Sequence, residues 1–466
     1  MIENDAAKQN PDFNRRDFIK GASAGSLMLL AGGTLLQAED KPAAAPEETN
    51  FSAECAGISF ALIGCGIWGR EILQTIAVLK NTPAPTIVAI CDNFKSAIRR
   101  AKEIAPKAEV FDDYRKVLES PSVQAVIVAT PTHLHKEIVI AALKAGKHVY
   151  CEAPIASTVE DARAIAEAAR DAVKVNFQAG LQMRSDPGKK YVLNFIRNAA
   201  IGTPLMAKGQ WHKKDSWRRA WPDPDREKAL NWRLDKSVST GLAGEIGVHQ
   251  FDLMNWFLNQ RPTAVNGFGG IMAWNDGRDV PDTIQTLLHY SSKANFSYDC
   301  TLGNSFDGEY TAIYGNFAAI LMRVDKAWLF EEADCPLLGW ELYAMREKFY
   351  QDSGITLSAN ASHSIQSKKG AAESPYADTA LHHALRAFIC NCHLVEDSVR
   401  DFTSINGADA DAASLKDYVA AQVKGPGHKA AAGYQEGLEA TVTAVKANEA
   451  VIKGERIALP KELFEI

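Results

Sequence analysis

The sequence predicts an α/β protein of two domains, the first a doubly wound parallel sheet and the second an α/β unit whose sheet is of another kind. Three observations carry this expectation. A continuous apolar run, Ile58 to Ile63, opens into the glycine loop Gly64-Cys65-Gly66-Ile67-Trp68-Gly69. Apolar strands and helical stretches then alternate as far as Ala179, the pattern of parallel strands joined by crossover helices. Beyond it, strand-like segments follow one another without the helix that each parallel crossover would need. At 466 residues, 46% hydrophobic and 23% charged, the chain can bury two cores of ordinary size. The boundaries read as 57–180 for the first domain and 181–466 for the second.

The N-terminus is of a different character. Asn14-Arg15-Arg16-Asp17-Phe18-Ile19-Lys20 precedes an uncharged run, Gly21 to Gln37, and then small and polar residues near Ala38. The arrangement resembles a twin-arginine export signal. It implies that residues 1–38 are removed, that the twin-arginine translocase is a transient partner, and that the mature protein is periplasmic. A membrane anchor or a disordered tail are the alternatives. The glycines at 21, 25, 32 and 33 and the shortness of the run argue against a stable anchor. Residues 39–56 read as a Pro/Ala/Glu linker.

A formal charge of −6 shows no basic field of the kind that binds nucleic acid. No later run approaches the ~20 apolar residues of a membrane span. The eight cysteines have no disulfide-scaffold spacing and read as scattered free thiols, compatible with a protein that folds in the cytoplasm before export. Cys390 and Cys392 read as packing or surface residues, and no metal site is expected.

In the glycine loop, Gly64 permits a tight turn, Gly66 a close approach of backbone to a pyrophosphate, and Gly69 close packing of helix on strand. The helix from Arg70 to Leu79 would offer unpaired N–H groups to the anion. Thr86 to Cys91 is a second strand and ends at Asp92. A carboxylate there can accept both ribose hydroxyls of an adenosine and would repel a 2′-phosphate, which favours NAD over NADP, although Lys95, Arg99 and Arg100 could still reach a phosphate. Asp92 can equally be a turn or cap residue before the next helix. Ala125 to Ala129 forms a third strand, followed by Thr130-Pro131-Thr132-His133-Leu134-His135 and a helix from Glu137 to Ala145. Strand ends carrying Thr130, Pro131 and Glu152 would line the crevice. A helix from Val159 to Ala169 and a strand near Val175 to Ala179 complete this half.

Together, ALIGCGIWG, AICD, VIVATPTHLH, AGKHVYCEAP and GLAGEIGVHQFDLMNWFL resemble the glucose–fructose oxidoreductase / inositol dehydrogenase family, Gfo/Idh/MocA. The resemblance covers roughly Gly57 to Leu258. It implies a Rossmann domain that binds NAD through Gly64, Cys65, Gly66, Ile67, Trp68, Gly69, Asp92, Thr130, Pro131, His135 and Glu152. It also implies a second domain with an open, mostly antiparallel sheet that carries the sugar pocket, and a homo-oligomer. The residues agree in outline. Pro204 to Trp211, Ala264 to Ala273, Thr283 to Tyr290, Lys293 to Thr301 and Tyr310 to Ile320 are strand-like. Residues 354–379 and 406–433 read as exposed insertions, with a helix-like patch near Leu415 to Val423. Helices at Ala380 to Val395 and Tyr434 to Ile452 are expected to pack on the core.

Offsets of four and three residues would put Glu245, His249 and Asp252 on one face of a helix. Oxidising a sugar CH–OH needs a base for the hydroxyl proton, and histidine titrates in the right range. A carboxylate can fix its tautomer. In the family an acidic residue and a histidine at this spacing touch the sugar, which implies Glu245 and His249 as the catalytic pair here, with Asp252 beside them. An ordinary helical ion pair is the alternative. Further pocket candidates are Gln182, Arg184, Tyr191, His212, Lys213, Trp232 and Arg233, as donors to sugar hydroxyls or as a stacking face.

One departure matters. Where the family carries Glu-Lys-Pro, this chain has Glu152-Ala153-Pro154. An ammonium there would polarise the reacting oxygen, and alanine cannot. The periplasm has no recycled NAD pool, so an exported enzyme would keep its cofactor tightly bound and reset it in each cycle. Three readings stay open: net oxidation or reduction of a sugar or glycoside; a redox-neutral NAD-dependent glycoside hydrolase or lyase; and a silent protein that binds NAD and sugar.

Overall fold

In the first half, strands β1 (Ser59–Ile63), β2 (Thr86–Cys91), β3 (Glu109–Phe111), β4 (Ala125–Val128), β5 (His148–Cys151) and β6 (Phe177–Ala179) alternate with helices α1 (Ile67–Ala77), α2 (Lys95–Ile104), α3 (Tyr114–Glu119), α4 (His135–Lys144) and α5 (Val159–Asp171). The strands form one sheet in the order β3-β2-β1-β4-β5-β6, with every neighbouring pair parallel. Every residue of β4 and β5 is buried, as strands covered on both faces must be. The strand order reverses between β1 and β4, which opens a crevice at their carboxyl ends.

The computed structural model describes residues 55–80, 83–323, 326–336, 344, 346–349, 352–357, 378–407 and 410–466. The expected signal at 1–38, nearly all of the 39–56 linker and most of the 354–379 segment lie outside the described residues.

The second half follows with α6 (Pro187–Arg197), β7 (Pro204–His212), α7 (Pro224–Leu230), α8 (Gly241–Glu245) and α9 (Gly247–Leu258). Strands β8 (Pro262–Gly270), β9 (Thr283–Tyr290), β10 (Asn295–Thr301), β11 (Glu309–Gly315), β12 (Ala318–Arg323), β13 (Lys326–Glu331), β14 (Arg346–Phe349) and β15 (Asp352–Thr356) come next. Helices α10 (Ala380–Asn406), α11 (Ala412–Val423) and α12 (Tyr434–Lys453) and the short strand β16 (Ile457–Ala458) close the chain. Ten strands pair in the order β14-β15-β13-β12-β11-β7-β10-β9-β8-β16, and only β7 with β10 is parallel. Burial alternates strictly along β10, so one face of this sheet meets helices and the other faces away.

Several expectations need correction. The single strand expected from Tyr310 to Ile320 is a hairpin, β11 and β12, which turns at Asn316 and Phe317. Gly315-Asn316 was the available signal, because that pair favours reversal. The helix-like patch expected within 406–433 is α11, largely exposed with Val419 buried, lying along an α10 longer than expected, the Phe402 and Tyr418 rings 5.5 Å apart. Cys55 and Cys390 form a disulfide, so these two are neither free thiols nor simple packing residues. They are 335 residues apart, and only the return of α10 to the start of β1 brings them together.

That return is a principal feature of the fold. Phe388 of α10 packs 6.1 Å from Phe60 and 5.7 Å from Tyr150, ring to ring, while Leu381, Leu385 and Ile389 are buried beside them. Gln178 Nε2 donates to the Ala384 carbonyl at 2.8 Å. The opposite face of the first sheet shares a second core with α9, α12 and the inner face of the ten-stranded sheet. Among the described residues, no helix is long and apolar enough to cross a membrane, and no group of three or more His, Cys, Asp or Glu is placed to hold a metal.

Candidate active site

The glycine loop is built as its spacing requires. Gly64 has φ +100°, and a Cβ there would lie 2.5 Å from the Ala129 carbonyl oxygen. At Gly69 a Cβ would come within 2.1 Å of the Gly64 carbonyl oxygen, so the turn can close only on glycine. Above Gly66 there is open space. No side chain caps the start of α1 and no acidic residue sits in its first turn, which leaves its amides available to a phosphate. Ile67 and Trp68 are exposed on the loop.

Asp92 takes the turn role. Its Oδ2 accepts from the Cys65 amide and its Oδ1 from the Phe94 amide, each at 2.8 Å. It thereby ties the loop to the end of β2, and its remaining lone pairs stay available to a ribose.

At the other end, Thr130 Oγ1 and Glu152 Oε1 are buried without a protein partner. Burial pushes the Glu152 carboxyl up to about 7, against the pull of the Trp68 indole, the Ala153 amide and Tyr150. The Ala153–Pro154 peptide is cis. His135 lies under this loop and is not a cofactor contact. It is 1% exposed, and its ring nitrogens face the Thr130 carbonyl at 2.9 Å and the Pro154 carbonyl at 3.1 Å. Burial lowers its pKa to about 4, so the ring is neutral and braces the ends of β4 and β5. The anion-ready helix start, the open space over Gly66 and the two orphaned polar atoms fit a dinucleotide.

The residues of the second domain are distributed differently from the expectation. The helix breaks at Ile246, φ −123° and ψ −52°, so Glu245 ends α8 and His249 begins the next turn on α9. No hydrogen bond joins Glu245 to His249. Instead Glu245 Oε1 accepts from Thr240 Oγ1 at 2.6 Å and from Thr132 Oγ1 of the first domain at 3.3 Å. Arg233 Nε lies 3.4 Å from Glu245 Oε2. The His249 imidazole makes no hydrogen bond to a described residue, and burial lowers its pKa to about 4.

Asp252 lies three residues beyond His249 on the unbroken α9 and is engaged by another residue. Arg184 holds it through Nε at 3.1 and 2.9 Å and Nη2 at 2.8 Å, both side chains being largely buried. Burial opposes ionisation of both groups, and the Asp252 carboxylate keeps the guanidinium protonated. The pairing occupies both Asp252 oxygens as acceptors and Nε and Nη2 of Arg184 as donors. Gln182 lies beside Tyr150, and Tyr191 packs against Phe195 at 5.2 Å.

Arg233 keeps an exposed guanidinium 4.6 Å above the Trp232 ring and 5.8 Å from Trp217. Trp232 meets the His133 ring edge-on at 5.8 Å. Trp217, Trp232 and Arg233 therefore make one wall beside Glu245. His212 is not on it: its Nε2 pairs with Asp299 at 2.6 Å on the outer face of the ten-stranded sheet, because alternation along β7 turns it away from the helices. Lys213 is exposed beyond the end of the same strand. Thr132 and Thr240 are the functional neighbours that sequence reasoning missed. Open hollows of about 240 and 430 Å³ lie elsewhere, around Ser157 and Lys453 and around Arg218 and Asp235, and neither is lined by Glu245 or His249.

Residues 58–180 match a family model described as an oxidoreductase family with an NAD-binding Rossmann fold, and residues 190–320 match the GFO/IDH/MocA C-terminal domain. Levoglucosan dehydrogenase of Pseudarthrobacter phenanthrenivorans is 27% identical over 298 residues, 58% of this chain and 74% of that one. Inositol 2-dehydrogenase of Pseudomonas fluorescens is 30% identical over 204 residues, 43% of this chain and 55% of that one. The 2,7-anhydro-N-acetylneuraminate hydratase of Escherichia coli is 31% identical over 216 residues, 46% and 54%. The chain thus spans about half the length of the last two. A levoglucosan dehydrogenase solved with NADH and levoglucosan superposes with a TM-score of 0.62 at 20% identity, covering 87% of this chain and 100% of that one. An oxidoreductase domain protein from Kribbella flavida gives 0.62 at 19%, with the same coverage. At these identities the superpositions show a common fold. The two family models together span more than half of the chain, and the protein belongs to the Gfo/Idh/MocA oxidoreductase family, whose first domain is an NAD-binding Rossmann fold.

Proposed function

We propose that the protein is an exported oxidoreductase that retains NAD(H) and acts at a hydroxyl-bearing carbon of a sugar or glycoside. One observation carries this reading most directly: Thr132, in the turn after β4, meets Glu245 at a wall of Trp217, Trp232 and Arg233, and the imidazole of His249, four residues on from Glu245, is neutral and has no partner among the described residues. Bound NAD would accept or return a hydride. His249, held neutral, accepts the hydroxyl proton, and Glu245 is fixed by Thr132 and Thr240 to orient a sugar hydroxyl. Arg233 donates to the substrate, and the indole of Trp232 offers an apolar face to its C–H surface. Glu245, Thr132, Thr240 and Trp232 are buried, while Arg233 keeps one side of the cluster open to solvent. Levoglucosan and inositol, named for the relatives, are polyhydroxylated rings of the class such a cleft suits.

Export is supported by the paired arginines at 15 and 16 and by the Cys55–Cys390 disulfide, a bond that persists in oxidising compartments. Met206, Phe268 and Leu287, exposed on the outer face of the ten-stranded sheet, support self-association.

A second reading, a redox-neutral glycoside hydrolase or lyase, is favoured by Ala153. Without an amine beside the reacting carbon, an oxidation followed by elimination and return of the hydride needs only a transient ketone. The hydratase among the relatives is named for addition of water, which is not a net oxidation. Purified mature protein should release nicotinamide absorbance on denaturation, and its absence would sink the retained-cofactor reading. Free sugars that reduce the bound cofactor support the oxidoreductase; aryl glycosides that release aglycone without net NADH support the second reading. A protein inert to both panels yet carrying cofactor is a binding protein.

A further inference from the structure

The segment between β7 and Trp232 crosses from the second domain to the carboxyl end of β2. There one side chain, Arg226, meets three consecutive residues of the first domain. Its Nη2 lies 3.9 Å from Asp92 Oδ1, its Nη1 donates to Asn93 Oδ1 at 2.9 Å, and its guanidinium carbon sits 3.8 Å from the Phe94 ring centre. Trp221 meets the same Phe94 ring edge-on at 4.6 Å. Arg226 Nε is buried and has no partner. Helix α7, which carries Arg226, buries no residue of its own, so the segment is not placed there to fill a core.

The segment is also pre-built. Arg278, with 1% of its side chain exposed, donates Nη2 to the Ser216 carbonyl at 2.6 Å and is paired with Asp276. Arg218 bridges Asp276 at 3.1 Å and Glu227 at 3.5 Å. The Asn231 side chain bonds the Arg219 backbone in both directions, at 2.7 and 2.8 Å. An arm already ordered loses little entropy when a ligand arrives.

We propose that residues 213–231 clamp the adenosine end of the dinucleotide, with Arg226 and Trp221 as the contact residues that slow its release. The proposal rests on the dinucleotide reading of the crevice. Asp92 marks the ribose position, and a guanidinium beside it supplies a planar surface and spare N–H donors in a partly desolvated place, where such contacts are strong. Because the arm belongs to the second domain and grips the first, a dinucleotide can leave only when Arg226 and Trp221 part from Phe94. Retention would then be a property of the joint between domains, beyond anything the glycine loop provides.

The test uses the full-length protein with NADH as probe, followed by nicotinamide fluorescence on titration and on chase with excess NAD⁺. Arg226→Ala should speed NADH release at least about tenfold, equivalent to ~1.4 kcal/mol. Trp221→Ala, which leaves the Arg226 contacts in place and guards against a folding defect in the first variant, should speed it in the same direction. ADP-ribose should lose affinity for Arg226→Ala by a similar factor. If both variants release NADH at the wild-type rate, the clamp is overturned while the crevice reading stands. If wild-type protein neither carries a nicotinamide nor takes up NADH, both are overturned.

Discussion

Arg184 grips both carboxylate oxygens of Asp252, with three N···O distances between 2.8 and 3.1 Å. The pair joins the turn after β6 to α9, so it positions the helix that carries His249. Asp252→Ala leaves a buried guanidinium uncompensated and should destabilise the protein by about 3–5 kcal/mol, read by urea unfolding. Replacing both partners by apolar residues of similar volume should recover most of that loss. A single variant as stable as wild type would show that the pair is solvated.

His249→Ala should lower turnover by about 10²–10⁴-fold while leaving cofactor content unchanged. Burial sets its pKa near 4, below the ordinary 6.5, so the residue stays neutral until the solution is strongly acidic. The acid limb of the rate profile in the oxidation direction should therefore fall near 4. A limb centred at 6.5 would mean that the imidazole is hydrated.

Glu152 has the opposite sense. Its folded pKa, about 7, lies above the ordinary 4.5, so the folded state binds this proton more tightly than the unfolded chain does. The associated stability is fully present below 4.5 and is lost as the pH rises through 7. Glu152→Gln should remove that dependence and leave the variant more stable than wild type above neutrality, as measured by thermal unfolding across pH. Identical profiles would place the carboxyl in water.

Denatured, unreduced protein should show six reactive thiols, from cysteines 65, 91, 151, 300, 335 and 392, which lie outside the disulfide. Eight would mean that Cys55 and Cys390 are not joined. Reduction should lower the unfolding free energy by about 2–4 kcal/mol.

The part of this architecture legible in the sequence is the part whose physics is local. Ile58 to Ile63 followed by Gly64, Gly66 and Gly69 states its own geometry, because backbone clashes at two of these glycines exclude other residues. Glu245 and His249 were legible as residues but not as a contact. Their spacing assumes an unbroken helix, and Ile246 breaks it. Thr132 reaches Glu245 across 113 residues, and no periodicity records such a meeting. His212 drew attention by residue type, whereas its position on β7 decides that it points away from the cleft. The hairpin at Asn316 was written in a turn dipeptide inside a run read only for its apolar alternation.

Helix α10 carries Phe388 back onto Phe60 and Tyr150, after all the described strands of the ten-stranded sheet except β16 have passed. One face of the first sheet, which α1 and α2 also cover, thus lacks its last helix until residues 380–406 have been synthesised. The Rossmann half, first to emerge, is finished only after most of the second domain, and a chain cut before 380 would leave Phe60 and Tyr150 without the Phe388 ring.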